Sequence, residues 1–224
     1  MVDERSIVEN ISQIPADAPG SHSYVFYGDD KTVVVDTGLQ SNAGRIREVL
    51  GGAPDIIINT HEHFDHIGGN KDFQDESTIA AHRFSAVKMN HGDDEVLQCR
   101  AHKQDISGYR VHLWLQNNTL FDLGDMHLKV LHTPGHTSGC ICLYESRTRT
   151  LVSGDTVFAN GTISLITRSG SYGDYINSLG RLKTLKVDRI CPGHGDGAEF
   201  TGHRGDSADV DRKCPGETSG HAGR

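Results

Sequence analysis

The stretch Thr60-His61-Glu62-His63-Phe64-Asp65-His66 constrains this chain more than any other. Four residues of metal-ligand type, His61, His63, Asp65 and His66, fall within six positions. Just upstream, Pro54-Asp55-Ile56-Ile57-Ile58-Asn59 is a short apolar run of strand type. The cluster therefore sits where a buried strand opens into a loop, a place where a rigid scaffold can aim side chains at one point. His61 and His63 are two apart, so extended backbone turns both rings to one side. Asp65 and His66 lie beyond the bend and face a second point. One ion fits the first pair and another the second.

The rest of the chain reads as a scaffold for that loop. Ser6 to Ile14 is expected as a first edge strand. His22 to Tyr27 and Thr32 to Val35 form a hairpin around Gly28-Asp29-Asp30, closed by Asp36-Thr37-Gly38. Asp36 reads equally as a carboxylate orienting a ligand histidine or as a turn cap. Ser41 to Leu50 is a helix, capped by Ser41 or Asn42 and stopped at Gly51-Gly52. Ser77 to Ala81 is a strand and His82 to Asn90 a helix. The polar stretch from Asp93 to Gln116 is expected to form a lid. Further strands run over Thr119–Leu123, His127–Leu131, Cys140–Tyr144, Thr150–Ser153 and Val187–Cys191. Asp174 to Leu185 is an amphipathic helix, with Ile176, Leu179, Leu182 and Leu185 as its apolar stripe.

Three further candidate ligands stand at strand ends: His136 in Thr133-Pro134-Gly135-His136, Asp155 in Gly154-Asp155-Thr156, and His194 in Pro192-Gly193-His194-Gly195. Glycine and proline beside each permit sharp turns and close backbone approach. With the first cluster they complete two sets: His61, His63 and His136 for one metal, and Asp65, His66 and His194 for another. Asp155, with two oxygens, bridges them. Imidazole and carboxylate donors suit zinc first, with iron or manganese as alternatives.

Composition narrows the function classes. The formal net charge of the 224-residue chain is −8, which disfavours a general polyanion binder, so nucleic acid is an unlikely partner. The five cysteines form no CxxC and read as small core residues. No run of ~18 apolar residues is present, so no membrane span is expected. The N-terminus lacks the pattern of a secretory leader, and a reducing cytoplasm is the expected compartment. Residues 1–196 read as one domain, and 197–224 as a polar tail, loop or disordered.

The motifs THEHFDH, TPGHTSG, SGDT and PGHG, with the early DTG, resemble the metallo-β-lactamase superfamily in order and spacing from about Ser6 to Gly195. The resemblance implies an α/β fold, an αββα four-layer sandwich with metals at one edge of the two sheets. Within the superfamily the chain looks most like the short glyoxalase II-like hydrolases, whose helix start Gly173-Asp174-Tyr175-Ile176-Asn177-Ser178-Leu179 resembles. It departs from glyoxalase II in lacking the further helical domain that helps hold glutathione, and it lacks the inserted domain of the nucleic-acid-processing branch. The expected activity is hydrolysis of a thioester, ester or lactone by a hydroxide shared between two metal ions, with catalytic Asp65 and Asp155. Glu62 is expected to point away from His61 and His63 and to be structural. His22, Arg168, Tyr172 and Tyr175 are candidate contacts for a small-molecule substrate. Relatives of persulfide-dioxygenase type, using one iron at the equivalents of His61, His136 and Asp155, are the alternative. A small metal-dependent nuclease is a second alternative, and a binding protein without catalysis a third. The sequence leaves open whether the chain works as a homodimer.

Overall fold

The β-branched runs of this chain are buried on both faces, and that decides its architecture. Val33 and Val35 point into one apolar cluster and Val34 into another; Ile58 and Ile57 divide in the same way. Strands with apolar side chains on both sides need cover on both sides. The computed structural model describes residues 4–105, 108–159 and 161–199. Among them, β1 (Arg5–Val8), β2 (Ile11–Ile14), β3 (Ser23–Tyr27), β4 (Thr32–Val35), β5 (Ile56–Asn59), β6 (Thr78–His82) and β7 (Leu113–Leu115) form one sheet in chain order. The first four are antiparallel neighbours, and β4 through β7 are parallel. A second sheet runs β13 (Ala198–Glu199), β12 (Arg189–Pro192), β11 (Thr150–Gly154), β10 (Ile141–Glu145), β9 (His127–His132), β8 (Leu120–Asp122). Only its β11–β12 pair is parallel.

The two sheets face each other across a core that includes Ile11, Phe26, Val35 and Ile58 from the first and Leu128, Val130, Leu143 and Val152 from the second. Helices α1 (Ala43–Leu50), α2 (Phe64–Ile67), α3 (Arg83–His91) and α4 (Asp94–Leu97) lie against the outer side of the first sheet, where Ile46, Phe64, Ala86, Met89 and Leu97 are core residues. Helix α5 (Tyr172–Leu182) covers the second sheet through Leu182, packed on Cys142 and Leu151. The layers are helix, sheet, sheet, helix.

Three local expectations are corrected. Residues 6–14 form a hairpin, β1–β2, because Asn10 takes a left-handed turn (φ 63°) that asparagine tolerates better than most residues. Asn42, one of the two caps the sequence offers, is indeed the N-cap residue of α1, though its amide donates to Ser23 Oγ (2.9 Å) and Thr37 O (3.2 Å) and its side chain makes no bond to the helix. The stretch from Asp93 to Gln116 is a wall rather than a lid: Leu97, Cys99, Tyr109 and Val111 are buried on the outer face of the first sheet, and β7 extends that sheet. The apolar stripe of α5 is rotated: Tyr175, Ser178 and Leu182 are buried, whereas Ile176 is 69% exposed. Ala198–Glu199, at the start of the stretch read as tail, pair with β12; residues 200–224 lie outside the described residues, as does Cys214. The other four cysteines are buried and free. Among the described residues no helix is long and apolar enough to cross a membrane.

Candidate metal centre

Strands β4, β5 and β6 run parallel, so their carboxyl ends open at one edge of the first sheet, followed by Asp36, Thr60 and, at the end of β6, His82. The edge is stitched to the second sheet by backbone bonds: Ile141 N to Thr60 O (2.8 Å) and His22 N to Gly193 O (2.8 Å). The Tyr24 hydroxyl adds a bond to Pro192 O (2.8 Å). After β5 the chain stays extended through His63 (φ −70°, ψ 149°), then coils into the single turn of α2. That turn brings Asp65 and His66 back toward the histidines; it is held by Ser21 N to Asp65 O (3.1 Å) and Thr37 N to His66 O (2.9 Å).

All seven candidate ligands converge. His61, His63, Asp65, His66, His136 and Asp155 are each less than a tenth exposed, and His194 is half-buried. His63 Nδ1 lies 3.0 Å from His61 Nε2 and 3.1 Å from His136 Nε2. A tetrahedral zinc ion with bonds of about 2.05 Å would hold its nitrogens roughly 3.3 Å apart, so this triad has the span a cation needs. In the second group, Asp65 Oδ2 lies 3.0 Å from His194 Nε2 and 3.7 Å from His66 Nε2. Asp155 stands between the groups: Oδ1 is 3.4 Å from His66 Nε2 and 3.7 Å from His194 Nε2, and Oδ2 is 3.7 Å from His136 Nε2. His66 Nε2 and Asp155 Oδ1 are buried with no hydrogen-bond partner. Groups of this kind are costly to leave unsatisfied, and a divalent cation would satisfy both. The residues fit the metal.

Neighbouring groups aim the rings. Asp36 Oδ2 accepts from His66 Nδ1 (2.8 Å), which turns Nε2 inward. Asp36 is itself held by the Thr60 amide and hydroxyl, both at 2.7 Å, and sits at φ 58°. Of the two readings the sequence allows for Asp36, its contacts favour the orienting one. His136 Nδ1 donates to Leu165 O (2.5 Å), which turns its Nε2 inward likewise. A backbone carbonyl leaves no mark in sequence, so Leu165 was not legible there. Gly193 is required by contact: a Cβ there would come within 2.5 Å of Asp155 Oδ1 and 2.7 Å of His66 Cε1.

The electrostatics divide the cluster. Burial, and then the neighbouring His66, His63, His136 and His194, hold His61 well below its ordinary value. Burial and His136 push His63 down to about 4. Both rings are thus neutral near pH 7, with lone pairs free for a cation. For His66 burial opposes the charge but is outweighed by Asp36, Asp65 and Asp155, which raise it. Burial also opposes charge on Asp65 and Asp155, yet His66 and His194 keep both below the usual carboxylate range.

Glu62 turns away from the cluster, as its alternation with His61 and His63 implies. Its buried carboxylate accepts from Ser85 Oγ (2.5 Å), Lys88 Nζ (2.7 Å) and Thr137 Oγ1 (3.0 Å). Two of the expected substrate contacts, His22 and Tyr175, have their polar atoms engaged with backbone. His22 has both nitrogens engaged with backbone, at Ala16 N (3.1 Å) and Gly195 O (2.9 Å), so it braces the His194 loop. Tyr175 is buried, its hydroxyl donating to Thr156 O (2.6 Å) and accepting from Ser164 N (3.0 Å). Arg168 is exposed and pairs with Glu95 (2.8 Å). Tyr172 is exposed on the first turn of α5.

Comparison with known proteins follows the same lines. The family model described as the Metallo-beta-lactamase superfamily matches residues 16–194. The acyl-coenzyme A thioesterase MBLAC2 of Bos taurus is 31% identical over 199 residues, covering 75% of this chain and 70% of its own. A hydroxyacylglutathione hydrolase of Pelagibacter ubique (strain HTCC1062) is 31% identical over 139 residues, covering 62% of this chain and 50% of its own. Two solved structures share the fold: BLEG-1 B3 metallo-beta-lactamase, with a TM-score of 0.73 at 24% identity over 84% of this chain and 93% of its own, and TTHA1623, solved in a di-iron-bound form, with a TM-score of 0.71 at 23% identity over the same shares. The motifs at the two sheet edges, the paired layers and the breadth of the family match lead to one conclusion: this chain belongs to the metallo-beta-lactamase superfamily.

Proposed function

We propose that this protein is a dinuclear metallohydrolase that cleaves thioesters, esters or lactones of small molecules. The observation that carries this reading is Asp155, whose two oxygens face the two ligand groups while Oδ1 lacks a hydrogen-bond partner. His61, His63 and His136 would hold one ion, Asp65, His66 and His194 the other, and Asp155 both; zinc suits this donor set best. Bound there, two dications would supply Lewis acidity for the substrate carbonyl and a water acidic enough to attack near neutral pH.

The chain's own residues do the remaining work. Asp65 Oδ2, the carboxylate oxygen beside His194 in the second group, is assigned to take the proton lost by the attacking water. Asp36 and the Leu165 carbonyl keep the donor nitrogens of His66 and His136 aimed inward. Glu62 is committed to Lys88, Ser85 and Thr137 and takes no proton from the reaction. The relatives' names, an acyl-coenzyme A thioesterase and a hydroxyacylglutathione hydrolase, support a thioester as the first substrate class to test.

The experiment is metal analysis of protein purified without added metal, followed by a thioester and lactone panel. About two ions per chain with hydrolysis is the expected result. In Asp155→Ala, metal loading falls and hydrolysis drops by more than the roughly 100-fold loss typical of an outer-shell change. Full thioesterase activity in that variant would sink the proposal. One iron per chain with oxygen uptake on a persulfide would overturn it in favour of a dioxygenase.

A further inference from the structure

Four of the eight large apolar side chains that stand exposed among the described residues fall between positions 163 and 176: Ile163, Leu165, Tyr172 and Ile176, at 56%, 83%, 72% and 69% exposure. Tyr172 and Ile176 are four residues apart on α5 and so neighbours on one helix face. Ile163 and Leu165 are drawn to the same helix, because the Ser164 amide between them donates to the Tyr175 hydroxyl (3.0 Å). Clustered exposed apolar surface of this kind marks a binding site more often than scattered single residues do.

The patch is continuous with the metal centre. The Leu165 carbonyl accepts from His136 Nδ1 (2.5 Å), and the Thr167 amide and hydroxyl bond the His136 carbonyl at 3.0 and 2.7 Å. The segment bearing Ile163 and Leu165 is therefore the outer wall of the first histidine triad. Its cation, Arg168, is paired with Glu95 (2.8 Å), which leaves the apolar side chains as the character of this rim.

We propose that this rim receives the aliphatic acyl chain of the substrate, making the substrate class medium- to long-chain acyl thioesters and esters. The inference rests on the hydrolase reading above. Leu165 stands directly behind the inward-turned His136 ring, so an acyl chain that leaves the histidine triad past this ring meets the rim, and Tyr172 and Ile176 extend the apolar surface by about 6 Å along the helix. A second copy of the chain seated on the same rim would cover the wall of the centre, which argues for the substrate as the occupant.

The test is calorimetric titration of the metal-loaded protein with ethyl, hexyl and decyl thioethers of N-acetylcysteamine, which bind without being hydrolysed. Each methylene that becomes fully buried should tighten binding about fourfold, so about tenfold or more is expected across the series at a half-open rim. Leu165→Ser combined with Ile176→Ser should flatten the series. Leu120→Ser, an equally apolar surface change on the edge strand β8, should keep the wild-type slope. A flat wild-type series, or a slope kept in the double variant, overturns the proposal. A wild-type dimer in sedimentation that becomes monomeric in the double variant with the slope unchanged overturns it in favour of self-association. Chain-length-dependent binding without any thioester hydrolysis would keep this subsite and sink the hydrolase reading; hydrolysis with flat binding would do the reverse.

Discussion

At the scale of the residue, Asp36 makes the sharpest demand on the site. It stands in the left-handed region (φ 58°) and uses both oxygens, one on the Thr60 amide and the other shared by the Thr60 hydroxyl and His66 Nδ1. Asparagine tolerates that backbone as well as aspartate does, so Asp36→Asn isolates the charge and the acceptor from the fold. An amide N–H facing His66 would favour the tautomer with its proton on Nε2, the nitrogen that must point a lone pair at the second ion. Metal affinity in Asp36→Asn should fall 10- to 100-fold, roughly the range for outer-shell partners, and the thermal transition of the metal-free protein should fall as well, because the buried His66 loses the carboxylate that supports its charge. Competition against a chromophoric chelator measures the first and a melting scan the second. Unchanged affinity would remove Asp36 from the argument. The seven candidate ligands were legible because each is a distinctive residue type beside glycine, proline or a β-branched run. Their supports were less so, since Thr60 and the Leu165 carbonyl carry no compositional signal.

At the scale of the element, α3 is locked to the metal loop by charge rather than by apolar packing alone. Lys88, on α3, reaches the buried Glu62 (2.7 Å) and Ser138 Oγ (2.7 Å), tying the helix to the loops of His61 and His136. Lys88→Met leaves Glu62 as a buried carboxylate without its cation, and such a loss costs about 3 kcal/mol or more. Adding Glu62→Gln should return part of that cost, because the stranded charge is then gone. Urea unfolding of both single variants and the double variant reads the coupling; strictly additive effects would mean the pair is not energetically joined. The same scale shows where sequence periodicity misled. On α5, Ile176 and Tyr175 exchange the roles their chemistry suggests. The Thr156 carbonyl and Ser164 amide satisfy the Tyr175 hydroxyl in the interior, while Ile176 faces out. A hydrophobic stripe counts side chains and cannot see that a neighbouring loop offers polar partners to a buried phenol.

At the scale of the whole molecule, the two kinds of interior are separate. The apolar core between the sheets, with Phe26, Val35, Leu128 and Leu143, contains none of the candidate ligands, which gather instead where strands end. The sandwich should therefore persist without metal, in contrast to small domains that fold only on binding an ion. What metal removal withdraws is the satisfaction of a buried cluster in which Asp65 and Asp155 repel each other and Asp155 Oδ1 has no hydrogen-bond partner. Treatment with a chelator should lower the melting temperature while leaving the far-ultraviolet circular dichroism of the folded state intact. Ion present at a hundred times its dissociation constant adds about 2.7 kcal/mol to the stability of the native state. For a chain of this size that corresponds to a rise of roughly 5–10 °C. The rise should grow with the logarithm of free zinc, and the two groups predict two phases if the sites differ in affinity. A melting temperature indifferent to chelation and to added zinc would mean that the seven side chains converge without binding a metal, and the hydrolase reading would fall with them.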